Sequence, residues 1–419
     1  MEDSITYVGL DTHKAQHTVA ILYPGQDEPK QMVVKNTADD MRRLVRRIAR
    51  RAPGPVHYCY EAGVCGFVLY RWIVDAGDCC MVVAPSLVPV RPGEHIKTDR
   101  RDARKLAKFL KAGMLTEVRP PNEAEESVRE LCRCREAALK DLNRTRHRLS
   151  KFLLRRGFAY HEGSQWTQRH MAWMRGVSLE QVWDREVLAS YLSELHLREE
   201  RLAELTRAVE AAARTEPYRE AVGWLECFQG IKTVTAMTIL SELHGFERFG
   251  DARSLMCFLG LVPSEKSSGQ EERKGGITKA GNGRVRRALI EAAWHQRRSA
   301  VASKPLRARR RGQPAWVIAI AERAQRRLYS RFWRLVQRGK PTPKAATAVA
   351  RELAGFLWSV LRYARSGGPP DWAAESSPGV PTAEEAPLPV VNEEMRQAVD
   401  EGVPYRRRIT AREFLGQKA

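Results

Sequence analysis

The sequence predicts two architectures in one chain: an α/β domain built on a mixed sheet, and then an all-α region. Three observations predict it. Strand-like runs and amphipathic helices alternate through residues 1–121. Two long stretches with near-heptad apolar spacing follow over 122–216. Beyond them the chain is helical and rich in arginine to about residue 365, and 366–419 is a Pro-, Ser- and acid-rich tail of disordered composition, with room for one short helix near its end.

Residues 5–10 form an apolar strand, "DTHKAQ" turns, "HTVAILY" is a second strand and "KQMVVKN" a third. "TADDMRRLVRRIARR" begins with a capping Thr and has Met41, Leu44 and Ile48 at helical spacing. "VHYCYEA" is a fourth strand, "GFVLYRWIVDAG" a helix, "CCMVVAPS" a fifth strand, and "TDRRDARKLAKFLKAG" a helix capped by Thr98. Three strands followed by helix–strand alternation predict the order 3-2-1-4-5. Val128, Leu131, Ala138, Leu142, Thr145, Leu149 and Phe152 then mark one long helix, its seam broken by Arg135. Leu188, Leu192, Leu195, Leu202, Leu205 and Val209 mark a second. The pair reads as an antiparallel arm or a dimerising coiled coil, with a plain helical bundle as the rival. The stretch between them, "HEGSQWTQRHMAWMRG", carries exposed-looking Trp residues and no assignable role. A compact helical domain spans 217–365.

Lys plus Arg is 71 and Asp plus Glu is 50 in 419 residues, a formal charge of +21. Such a chain gains free energy by displacing counterions from a polyanion, which points to nucleic acid. No stretch approaches the roughly 18 apolar residues of a spanning helix, so no membrane is expected. The opening "MEDSITYVGL" does not read as a signal peptide. The eight cysteines form no C-x-x-C pair. They are expected to be reduced thiols in a cytoplasmic protein rather than zinc ligands.

Four acids stand out. Asp11 closes a buried strand, an expensive place for a carboxylate without a partner. Glu61 ends strand four, the expected neighbour of strand one, so both lie at the carboxyl edge where open sheets place ligands. Asp99 and Asp102 are three apart in the first turn of a helix and share one face. Gathered together they would repel unless a hard cation, Mg²⁺ or Mn²⁺, sat among them, and such ions serve phosphodiester displacement. Taken singly, Asp99 is a favourable charge at a helix N-terminus, Asp102 a surface acid and Glu61 a turn residue. "PSEKSSGQ" holds Ser264, Ser267 and Ser268 in what composition alone makes a polar turn. Arg273, Lys274, Lys279, Arg284, Arg286 and Arg287 follow, groups able to hold a phosphate against a hydroxyl. "FQGIKTVTAMTIL" has a hairpin turn at Gly230, with Lys232 where a second glycine would suit phosphate approach; an ordinary helix pair is the alternative. Tyr329, Phe332 and Trp333 lie among arginines, but Leu328, Phe332 and Leu335 also follow helical spacing, which favours core over base stacking.

"GLDTHK", "YEAGVCGF", "VVAPSLVPVRPGEHIKTDRRDARKLA" and "FLGLVPSEKSSGQEERKGGITKAGNGRVRRALIEAAW" together resemble the IS110-type transposases, the family that includes the Piv DNA invertase. The resemblance is ordered and runs from about Ile5 to Tyr363. It implies an RNase H-like (RuvC-like) domain whose Asp-Glu-Asp-Asp metal site falls on Asp11, Glu61, Asp99 and Asp102. It also implies a helical C-terminal domain with a nucleophilic serine, with which a long helical arm between the domains is compatible. That serine corresponds to Ser267, with Ser268 in reserve and Ser264 a distant third. The implied activity is cleavage, exchange and religation of donor and target DNA through a phosphoserine link, guided by a structured noncoding RNA, in a homo-dimer or homo-tetramer. Two other readings stay open: a RuvC-like metal-dependent junction nuclease that uses water, and a nucleic-acid-binding protein without catalysis.

Overall fold

The computed structural model describes residues 4–89, 98–265, 273–363, 388–389 and 391–402. It divides into two units, residues 1–123 and 124–419.

The first unit is a five-stranded mixed sheet with helices on both faces. Its strands are β1 (Thr6–Thr12), β2 (Gln16–Leu22), β3 (Lys30–Lys35), β4 (Val56–Glu61) and β5 (Cys79–Val83). Their order is β3-β2-β1-β4-β5, as the sequence predicts. The β1–β2 and β2–β3 pairs are antiparallel, and β1–β4 and β4–β5 are parallel. Strand periodicity sorts the side chains. Val8, Leu10, Val19, Ile21, Tyr58 and Tyr60 face α1 (Ala38–Ala49) and α2 (Val68–Val74), where Met41, Leu44, Ile48, Leu69 and Ile73 complete one core. The alternate residues face α3 (Asp99–Lys111): Tyr7, Ala20 and Leu22 pack with Ala103 and Ala107, and Cys59 and Val83 with Leu106. Small residues let this helix lie almost on the sheet. A Cβ on Gly9 would stand 2.4 Å from the Ala103 carbonyl oxygen and 2.5 Å from the Ala107 nitrogen. The first strand runs past its predicted end, so Asp11 and Thr12 still pair with Thr18 and His17, and the turn is shorter than the sequence suggests.

In the second unit, α4 (Glu123–Arg155) and α6 (Val182–Ala212) lie antiparallel, joined through α5 (Gln168–Arg175). Cross-helix pairs fix the direction: Arg135 Nε to Thr206 Oγ1 at 2.9 Å, Arg146 Nη2 to Glu199 Oε1 at 2.9 Å and Arg156 Nε to Asp184 Oδ2 at 2.7 Å. Leu142, Leu149, Phe152, Leu188 and Leu195 form the seam. Arg135, which breaks the predicted apolar seam, is thus one of its cross-links. The tryptophans expected to be exposed near α5 are packed instead. Trp173 stacks on His170 with ring centroids 5.7 Å apart, and Trp166 meets the same ring edge-on at 5.2 Å.

The helical domain contains α7 (Arg219–Glu226), α8 (Thr233–Leu243), α9 (Ala252–Phe258), a two-stranded ribbon of β6 (Pro263–Glu265) and β7 (Lys274–Ile277), α10 (Gly283–Trp294), α11 (Lys304–Arg310), α12 (Ala315–Gln337) and α13 (Thr342–Tyr363). Its core includes Leu328, Tyr329, Phe332 and Trp333, so these aromatics of the arginine-rich helix pack inward. A short helix in the tail, α14 (Glu393–Asp400), packs Met395 and Val399 into the same core. Among the described residues, no helix is long and apolar enough to cross a membrane.

Candidate active site

The parity that places Gly9 and Cys59 against α3 carries Asp11 and Glu61 to that same face, two residues further along adjacent parallel strands. Helix α3 brings its first turn to the same rim. Thr98 caps it by accepting a hydrogen bond from the Arg101 amide at 3.4 Å. Its sheet-facing stripe of Ala103, Leu106 and Ala107 continues backward through Asp99 and Asp102 at helical spacing. The two carboxylates therefore sit on the stripe that meets the sheet and within the half-positive end of the helix.

The tightest grouping there contains a residue that the sequence argument did not single out. His13 Nε2 lies 3.3 Å from Asp11 Oδ2 and 3.5 Å from Asp99 Oδ2. The ligating atoms of Asp11, His13 and Asp99 all lie within 4.8 Å of one another. Glu61, at the end of β4, and Asp102, one turn into α3, flank this group without joining it. Burial pushes the Asp11 carboxyl above the usual carboxylate range. The neighbouring His13 pulls it part of the way back, and the charges of Asp99 and Asp102 push it up again. Asp11 is thus a half-buried carboxylate whose charged form a nearby cation would favour. Two carboxylate oxygens and one imidazole nitrogen in reach of each other are a donor set that fits a divalent ion. The signal for His13 was its place two residues after Asp11, at the turn of a β-hairpin that ends on the rim.

The other predicted residues are placed as follows. Ser267 and Ser268 lie outside the described residues. Ser264, in β6, donates its hydroxyl to the Gly276 carbonyl at 3.1 Å. Arg273 is exposed, and Lys274 begins β7. Lys232 is exposed at the N-cap of α8, where no side chain caps the helix. Gly230 has φ of +85°, and a Cβ there would stand 2.4 Å from the Ala292 carbonyl oxygen, so close approach to α10 demands this glycine. Lys279 is exposed with φ of +57°. The three arginines of α10 have protein partners. Arg284 pairs with Glu136 and lies 3.6 Å from Glu242. Arg287 Nη2 lies 2.6 Å from Glu136. Arg286 donates to the Leu259 and Ala280 carbonyls, both at 2.8 Å, tying down the chain before α10.

Known proteins match both parts of the chain. Residues 8–157 match the model of DEDD-type IS110 transposases, and residues 224–309 match the model described as the transposase IS116/IS110/IS902 family. The chain is 38% identical over 361 residues to y4qE of Sinorhizobium fredii, covering 86% of this chain and 89% of that protein. It is 34% identical over 343 residues to the transposase for insertion sequence element IS1533 of Leptospira borgpetersenii, covering 80% of this chain and 97% of the relative. A more distant relative, the transposase for insertion sequence element IS1111A of Coxiella burnetii, is 24% identical over 54% of the chain. The chain belongs to the IS116/IS110/IS902 family of insertion-sequence transposases and is a DNA transposase.

Proposed function

We propose that this transposase cuts, exchanges and rejoins DNA strands through a phosphoserine intermediate, with Mg²⁺ or Mn²⁺ at its acidic site and a structured noncoding RNA choosing the donor and target. One observation carries the reading: the meeting of Asp11, His13 and Asp99 at a sheet rim flanked by Glu61 and Asp102, in a chain of formal charge +21. Acids concentrated in one place on a basic protein suit a cation, and the surrounding positive charge suits a polyphosphate substrate.

Asp11, Glu61, Asp99 and Asp102 would hold the ion, with His13 beside Asp11 and Asp99. When bound there, a divalent ion would supply Lewis-acid stabilisation of charge on a phosphodiester. Ser267 Oγ attacks phosphorus and passes its proton, by way of solvent, to the departing oxygen. The bond from phosphorus to the sugar oxygen of the cut strand breaks, and that oxygen leaves as a hydroxyl. Attack by the hydroxyl of the exchanged strand on the phosphoserine restores the diester and frees the serine. Lys232, Arg273, Lys274 and Lys279 contribute phosphate contacts. The RNA delivers sequence choice by base pairing, which leaves the protein to bind backbones. Both DNA partners must be cut together, so the working form is a homo-dimer or homo-tetramer.

The test is a denaturing gel of protein incubated with labelled donor DNA, RNA transcribed from the flanks of the gene, and Mg²⁺. A covalent protein–DNA adduct is expected. It should vanish in Ser267→Ala, persist in Ser268→Ala, vanish in Asp11→Ala and require the RNA. Undiminished cleavage by Ser267→Ala would leave the water-using nuclease. Tight binding with no cleavage under either metal would leave a binding protein.

A further inference from the structure

The turn that carries His13 is held from outside. Its own hydrogen bond is the His13 amide to the Gln16 carbonyl, at 3.1 Å. Two further carbonyls of the turn, those of His13 and Lys14, both accept from the Asn36 side-chain amide, at 3.3 and 3.2 Å. The Asn36 backbone amide donates to the Ala15 carbonyl at 3.0 Å. The Cys65 thiol also reaches the His13 carbonyl, at 3.6 Å. Asn36 is itself fixed, because it joins the end of β3 to Thr37, the N-cap of α1. One side chain thus ties the hairpin turn to the junction between β3 and α1. It meets the chain at the very residue whose ring stands between two carboxylates.

The pairing of one imidazole nitrogen with two carboxylate oxygens has a consequence for which ion is preferred. Mg²⁺ is small and hard, takes oxygen ligands and keeps its waters. Imidazole nitrogen adds little for it. First-row transition ions gain more from nitrogen. For such an ion the nitrogen must also be held in place, and the groups that orient a ligand are worth about 10–100-fold in affinity.

We propose that His13 is a metal ligand that biases the acidic site toward a first-row divalent ion over Mg²⁺, and that Asn36 is the positioning residue that holds the His13 turn for this role. The inference rests on the acidic site of the proposed function. His13 is the specificity-determining ligand, and the acids alone supply the oxygen ligands common to both ions. Asn36 touches no ion and acts only through the turn.

The experiment titrates the full chain with Mn²⁺, following the free-ion signal by electron paramagnetic resonance, and measures Mg²⁺ by competition. It needs no DNA and no turnover. In His13→Ala, Mn²⁺ affinity should fall about 10–100-fold while Mg²⁺ affinity changes by less than about threefold. Asn36→Ala should move the ratio the same way by about tenfold, and Asn36→Ser, which keeps a short donor near the turn, should recover part of it. A merely structural effect would weaken both ions alike and leave the ratio fixed. If Asn36→Ala lowers the melting temperature too far to titrate, the Asn36→Ser ratio decides. A Mn²⁺/Mg²⁺ ratio unchanged in His13→Ala, with binding of both ions lost in Asp11→Ala, overturns the inference and leaves the acidic site standing. Mn²⁺ binding that survives Asp11→Ala overturns the acidic site itself. A ratio that shifts in His13→Ala but not in the Asn36 variants overturns the positioning role.

Discussion

Gly9 shows how one missing side chain sets the geometry of the acidic rim. Because a Cβ there would collide with the backbone of α3 at Ala103 and Ala107, the helix can settle on β1 only over glycine. Asp99 rides on the first turn of that helix and Asp11 on the strand beneath. Gly9→Ala should therefore cost about 1–3 kcal/mol of stability, the usual penalty of overpacking. It should also weaken divalent-ion binding, because the helix must lift or slide. Urea unfolding of the variant checks the first effect and a Mn²⁺ titration the second; a variant with wild-type values of both would show that α3 does not depend on this approach. The two aspartates were readable from sequence because their signals are local: a charge closing an apolar strand, and an acid after a capping Thr. His13 and Gly9 were not, since one owes its role to a turn and the other to a helix ninety or more residues away; closeness to Asp11 was the one mark that His13 carried.

At the scale of elements, a buried ionic hub joins α4 to α8 and α10. Glu242 on α8 is 3% exposed and accepts from Arg133 of α4 through both oxygens, at 2.8 and 3.0 Å, and from Asn282 at 2.8 Å. Glu136 of α4 gathers Arg284 and Arg287 of α10, and Lys140 at 2.8 Å. Burial pushes the Glu242 carboxyl up, but Arg133 and Asn282 outweigh it and hold the group below its ordinary value. Such a group adds stability above the ordinary carboxylate range, and that stability is lost as pH falls through the lowered folded value. Glu242→Gln should cost about 1–3 kcal/mol at neutral pH, because Arg133 loses a buried charged partner and keeps Glu130 at 3.1 Å. The gap between wild type and variant should narrow in acid, below about pH 4. Denaturant melts at neutral and acid pH test this, and a gap that widens in acid would refute it. The strand order and the long helices were readable because alternation and heptad spacing are short-range patterns. The hub was not. Arg284 and its partner Glu136 are 148 positions apart, so the run that contains Arg284 and Arg287 reads as free surface charge when both are held by glutamate.

For the molecule as a whole, the hub decides which cations remain for nucleic acid. The formal charge of +21 drives binding through counterion release, and each duplex phosphate neutralised steepens the dependence of log K on log salt by about 0.9. A cation already neutralised by a glutamate releases no ion when DNA arrives. Lys232, exposed at the N-cap of α8, and Lys279, on the exposed loop before α10, have no carboxylate partner among the described residues. Lys232→Ala and Lys279→Ala should each flatten the salt slope for duplex binding by about one, at little cost in melting temperature. Arg287→Ala should do the reverse, lowering the melting temperature while leaving the slope alone, because it strips a partner from Glu136 rather than from a phosphate. Anisotropy titrations of labelled duplex across about 50 to 300 mM salt separate the two cases. If Arg287→Ala flattens the slope as much as Lys232→Ala does, the hub opens when DNA binds, and Arg284 and Arg287 count as phosphate ligands after all.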